Sequence, residues 1–83
     1  MSSATETVKL EYGTTSDGVE IDELRIRRPR VHDMLAADSA TGSDAKKEIS
    51  MFSNLCEVEP AAIEGLDLKD YRKLQAVYSG FLS

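Results

Sequence analysis

His32 and Cys56 are the side chains of this sequence best suited to act as base, nucleophile or soft metal ligand, and each residue type occurs once. Nucleophilic catalysis needs a nucleophile and a base within hydrogen-bond reach, with a third group orienting the base. His32 stands beside Asp33, and no Ser or Cys is placed near it in sequence. It reads as a surface or boundary histidine at a helix start. Cys56 shares a helical face with Ile49, Phe52 and Leu55, where a lone thiol serves as a small hydrophobe. One His and one Cys cannot build a Cys/His zinc site, and a single Cys cannot close an internal disulfide. Asp17, Glu20, Asp22 and Glu23 are the densest carboxylates, but their spacing is not that of a calcium loop, and no glycine-rich phosphate loop is present. The expectation is a protein with no catalytic residue, no metal and no cofactor.

The segment Arg25-Ile26-Arg27-Arg28-Pro29-Arg30 is a local positive patch in a chain of net charge -5. Arginine suits bidentate pairing with carboxylate or phosphate. Three uses are open: pairing with the neighbouring Asp22, Glu23 and Asp33, an interface with an acidic protein or a second copy, or contact with nucleic acid. No aromatic residue is interleaved to stack bases, and the overall charge repels phosphate, so nucleic acid is the weakest of the three.

These residues need elements to position them. Val8, Leu10 and Tyr12 alternate with Lys9 and Glu11, the period of a half-buried strand. Asp17-Gly18 is a hairpin signal. Val19 and Ile21 lie on one face of a second strand, while Leu24 and Ile26 fall on the other, a shift over Asp22-Glu23 that a bulge produces. The pattern predicts a hairpin over 6–13 and 18–27, with 13–18 as a loop. Pro29 ends the strand. Val31, Met34 and Leu35 at i, i+3 and i+4 predict a short amphipathic helix over 30–38.

A polar loop leads to a helix over 43–57, capped by Ser43, with Ala45, Ile49, Phe52, Leu55 and Cys56 on one face. Pro60 and Gly65 bracket a single helical turn. Asp67 caps a last helix, 67 to about 80, whose stripe Leu68-Tyr71-Leu74-Tyr78-Phe81 reads as core, with Tyr78 and Phe81 shared with a partner. The expected architecture is α+β: an N-terminal β-hairpin followed by three to four short helices in one small domain over 6–83, after a frayed end at 1–5.

Eighty-three residues, 41% of them hydrophobic, bury only about 60% of the surface of the unfolded chain. Three helical stripes and a hairpin face must all be covered, and apolar surface left open is a docking site. The longest apolar run, Met34 to Ala37, is too short to span a membrane. No basic region followed by an apolar stretch opens the chain, so the expected compartment is a reducing cytoplasm.

The order of these features carries a resemblance. Asp17-Gly18 precedes Leu24-Arg25-Ile26-Arg27-Arg28-Pro29, which runs into Val31-His32-Asp33-Met34-Leu35. The chain closes with Leu66-Asp67-Leu68-Lys69-Asp70-Tyr71-Arg72-Lys73-Leu74-Gln75-Ala76-Val77 and ends at Phe81-Leu82. Over residues 8 to 82 this resembles the small tail assembly chaperones of Mu-like and related contractile-tailed phages. The resemblance implies a non-enzymatic factor in the host cytoplasm, absent from the finished virion. It would bind the tape measure protein and keep it soluble until tail tube subunits polymerise around it. It also implies a longer frameshifted product. Several copies on one tape measure chain would make self-association useful, giving a homo-oligomer. Tyr71, Leu74, Tyr78 and Phe81 are the expected partner contacts, with Arg27 and Arg28 as electrostatic anchors. The competing reading is a small DNA-binding regulator in which helices 43–57 and 67–80 form a helix-turn-helix and the arginines touch phosphate. Glu57, Glu59 and Glu64 stand where its basic face would lie.

Overall fold

Val8 and Leu10 on one strand and Leu24 and Ile26 on the next are all buried, and they decide how the chain folds back on itself. The computed structural model describes residues 5–83. In it, β1 (Thr5–Ser16) pairs antiparallel with β2 (Val19–Arg27), and the helices α1 (Val31–Ser39), α2 (Asp44–Cys56), α3 (Pro60–Glu64) and α4 (Leu68–Leu82) follow. This is the expected α+β order, a hairpin and then four helices. β1 packs against α3 and α4, β2 packs against α2, and α1 rests on α2. A two-stranded ribbon is marginal alone, so the helices are what hold it.

The core joins the four strand residues to Phe52, Leu55 and Cys56 of α2, Ile63 of α3 and Leu74 of α4. Phe52 is fully buried and meets Tyr71 and Tyr78 edge-on, each with centroids 5.6 Å apart. Such pairs add about 0.5–1.5 kcal/mol beyond the area they bury.

The hairpin differs from expectation in three ways. Its loop is two residues, because β1 continues through the β-branched Thr14-Thr15 to Ser16. Asp17 and Gly18 both take positive φ (51° and 76°), the geometry of a type I′ turn. The irregularity does lie at Asp22, but β1 carries the surplus. Lys9 pairs with Glu23 and Thr14 with Ile21, so residues 10–13 stand opposite Asp22 alone. Gly13 permits this with φ of 75°, and a Cβ there would meet the Ile21 carbonyl oxygen at 2.9 Å. Thr5, expected to fray, instead pairs with Arg27, while residues 1–4 of the expected frayed end lie outside the described residues.

The widened stretch is held by side chains from the far half of the chain. The buried Asp70 carboxylate accepts the amides of Glu11 (2.8 Å) and Tyr12 (2.9 Å). The Thr14 hydroxyl donates to the Ala62 carbonyl, and Glu59 accepts from the Ser16 hydroxyl and the Asp17 amide at the turn. The hairpin is thus clamped along its length onto the starts of α3 and α4.

Helix ends follow the caps read from the sequence. Ser43 accepts from Lys46 N, Asp67 accepts from Lys69 N, and Pro60 occupies the first turn of α3. One end is unusual: α2 terminates on Glu57 with φ of 57°, a left-handed position that favours glycine. Glu57→Gly is expected to raise stability by about 1 kcal/mol through relief of that strain. Urea denaturation of the two chains checks it through a rise in midpoint at constant slope.

Candidate functional site

The first turn of α1 shows how the open surface arises. Arg27 at the end of β2 donates from Nη2 to Asp33 Oδ1 (2.7 Å) and from Nη1 to Asp33 Oδ2 (2.9 Å). The Arg30 amide donates to the same Oδ2 at 2.8 Å, so Asp33 also caps its own helix. Asp33 is the buried residue of α1. At about 100° per residue, Asp33 lies on the side of the helix opposite Val31, together with Ala37 and Ala40. The ion pair and these small side chains bring that side onto the rest of the protein. Val31, Met34 and Leu35 are therefore turned outward, 71%, 56% and 58% exposed. Of the two outcomes open to this stripe, cover within the chain or surface left for a partner, the helix takes the second.

Beside that stripe lies a groove of about 750 Å³. It is lined by Val31 and Met34 of α1, Met51 of α2, and Tyr78 and Leu82 of α4. The turn Arg28-Pro29-Arg30 completes the lining. Leu82 is 64% exposed. Arg28 lies over the Phe81 ring at 5.7 Å from its centroid, a cation–π contact that fixes the guanidinium at the rim.

Two of the expected partner contacts, Tyr78 and Arg28, line this groove, and Phe81 supports its rim under Arg28. Three others have different placements. Leu74 has no exposed surface and is core. Tyr71 is half-buried; its hydroxyl donates to Glu48, which also accepts from Gln75 Nε2 at 2.9 Å. Burial and the Glu48 carboxylate both push the Tyr71 phenol above its usual range. Arg27 is spent on Asp33. Leu68, expected in the same core stripe, is the first residue of α4 and is 69% exposed. The residues missed were Val31, Met34 and Leu82. The α1 stripe was visible, but its outward direction depends on Asp33, which reads as an ordinary polar position until its partner is known.

The basic segment divides as well. Arg27 takes Asp33, one of the three carboxylates open to it, whereas Glu23 pairs with Lys9 at 2.7 Å. Among the described residues, Arg25, Arg28 and Arg30 have no carboxylate within ion-pair distance.

The Arg27 guanidinium and the Arg30 amide hold the Asp33 carboxyl down to about 2, against the opposing effect of its burial. The folded value lies below the unfolded one of about 3.8. The stability Asp33 adds is therefore fully present above pH 4 and is lost as pH falls toward 2. Asp33→Asn is expected to flatten this acid limb in Tm measured across pH 2–5. Asp33→Ala is expected to cost about 2–3 kcal/mol at neutral pH, since it leaves a half-buried guanidinium unpaired.

His32 is exposed and only borders Asp33, Nδ1 to Oδ1 3.5 Å. Cys56 faces the core, and burial pushes its thiol up to about 12. Its reaction with a disulfide reagent at pH 8 is expected to be negligible until urea unfolds the chain. A labelling rate unchanged by urea would contradict this.

The helix-turn-helix geometry is absent from the pair proposed for it. α3 intervenes between α2 and α4, where that motif has a tight turn of three to four residues. Glu59 is committed to the hairpin turn, and Glu64 is exposed. No helix among the described residues is long and apolar enough to cross a membrane.

No curated protein and no solved structure matches this chain. A family model does, that of phage tail assembly chaperone proteins, E, or 41 or 14, over residues 7–83. That span takes in the hairpin, the basic segment, the outward α1 stripe and the whole of α4, and on it the chain belongs to the phage tail assembly chaperone family.

Proposed function

We propose that this protein is a non-enzymatic chaperone that binds the tape measure protein in the host cytoplasm and keeps it soluble during tail assembly. The observation that supports the reading is the groove between α1 and α4, with an apolar helical stripe left outside the core of so small a chain. A binder of a long apolar-rich helical protein needs such a surface, since an amphipathic helix docks by laying its apolar face into a groove. The net charge of -5 keeps loaded complexes apart.

Co-expression with the tape measure protein encoded by the same phage tests it. The expected result is recovery of that protein in the soluble fraction, bound to this chain, only when this chain is present. Unchanged solubility with no co-purification overturns the proposal. Contacts made through apolar surface persist in added salt, whereas phosphate-dominated nucleic-acid binding falls steeply.

A further inference from the structure

We infer that the groove takes a short amphipathic helix whose apolar ridge is flanked by Asp or Glu, the inference resting on the chaperone reading for the source of that helix. Two independent features of the groove lead there. The first is the shape and spacing of its apolar wall. Val31 and Met34 line the groove one helical turn apart, and the exposed Leu35 continues their stripe beside it, a helical ridge that packs against the ridges of another helix. A volume of about 750 Å³ suits a few inserted side chains rather than a whole domain.

The second is the charge along its lining. The chain holds fifteen acids against ten bases, yet Arg28 and Arg30 stand at the groove with no carboxylate of the described residues within reach. Arg27, one residue away, shows what a satisfied arginine looks like here, with a bidentate carboxylate. Arg28 lies over Phe81 and makes no hydrogen bond or ion pair among the described residues, so its donors are open to an incoming carboxylate. An acidic chain with a basic rim at its apolar groove repels acidic partners everywhere except there, which favours one register of docking.

A second copy is a poorer occupant. A two-fold pairing sets this face against itself, and the face brings arginines rather than carboxylates to the contact. The other large exposed apolar residues, Tyr12, Val19 and Leu68, form no helical ridge to insert.

The test uses the full chain and two fluorescein-labelled synthetic helices of about 15 residues. Both carry Leu at i, i+3, i+4 and i+7, one flanked by Glu and the other by Lys. In anisotropy titrations at low salt the Glu peptide is expected to bind at least about tenfold more tightly. Arg28→Gln with Arg30→Gln should abolish the preference, and Arg28→Glu with Arg30→Glu should reverse it, circular dichroism confirming that both variants fold. Equal affinity for the two peptides overturns the inference. So does binding of neither peptide by a chain that still co-purifies with the tape measure protein, a result that leaves the chaperone reading standing. Loss of both measurements overturns both. A dimer in sedimentation that Met34→Asp dissolves assigns the groove to a second copy and also overturns the inference.

Discussion

Asp70→Ala is expected to lower the thermal midpoint by about 10–20 °C, at the edge of what a domain of this size survives. Asp70 has no exposed surface. Its two carboxylate oxygens take the amides of Glu11 and Tyr12, which the widened stretch of β1 has removed from the ladder. Alanine leaves both donors without their acceptor, and an orphaned backbone donor costs free energy comparable to a lost hydrogen bond. It also releases the contact that docks β1 on α4. Asp70→Asn retains one acceptor oxygen and should fall between the two. Burial alone would push the Asp70 carboxyl up, but the two amides and the nearby Lys73 ammonium outweigh it and hold the group below its usual range. Its contribution is therefore present at neutral pH and withdrawn in acid, in the same direction as that of Asp33. Thermal circular dichroism of the three chains decides the matter. A loss below about 4 °C for Asp70→Ala would mean that water replaces the carboxylate at little cost.

Val31→Asp combined with Met34→Asp should do the opposite: leave the midpoint within a few degrees and cut recovery of the tape measure protein at least about tenfold. Both residues are largely exposed, and surface substitutions away from special features stay within about 0.5 kcal/mol. They also fall in the first turn of α1, where an acid complements the helix dipole. A truncated or charged anchor at the centre of an apolar contact commonly costs 2 kcal/mol or more, about thirtyfold. The double change Tyr78→Asp with Phe81→Asp is less decisive, because both side chains pack against the core and Tyr78 touches Phe52. Co-purification at the parental level from the α1 variant, with its fold intact, would remove the groove from the binding surface.

Much of this architecture was readable from residue types. Alternation at Val8 and Leu10, the caps Ser43 and Asp67, and Pro60 at a helix start are local signals, and each element formed within a few residues of its expected bounds. The residue types predict a longer hairpin loop because Gly13 resembles a loop residue, whereas its positive φ serves a bulge within a continuing strand. What stayed hidden depends on contacts between residues far apart in the chain. Asp70 resembles a first-turn acid that serves the helix dipole, and only the fold shows it bound to amides 58 and 59 positions away. The groove was hidden for a related reason. A stripe of apolar residues announces that a helix has a greasy side, but the direction of that side was decided by Asp33 and Arg27 on its opposite flank. Leu74 and Tyr78 looked equivalent in the α4 stripe. They separate in the fold, where Leu74 has no exposed surface while Tyr78, one turn on, packs on Phe52 and lines the groove.

The mooring of α1 has a consequence for how the protein can be handled. The tether on one side of this helix is ionic, while whatever comes to rest on its other side does so by excluding water. Acid undoes the first only as pH falls toward 2, where Asp33 takes up its proton, and leaves the water-excluding share of the second in place. Anchorage and adhesion, though only one helix-width apart, therefore respond to separate controls.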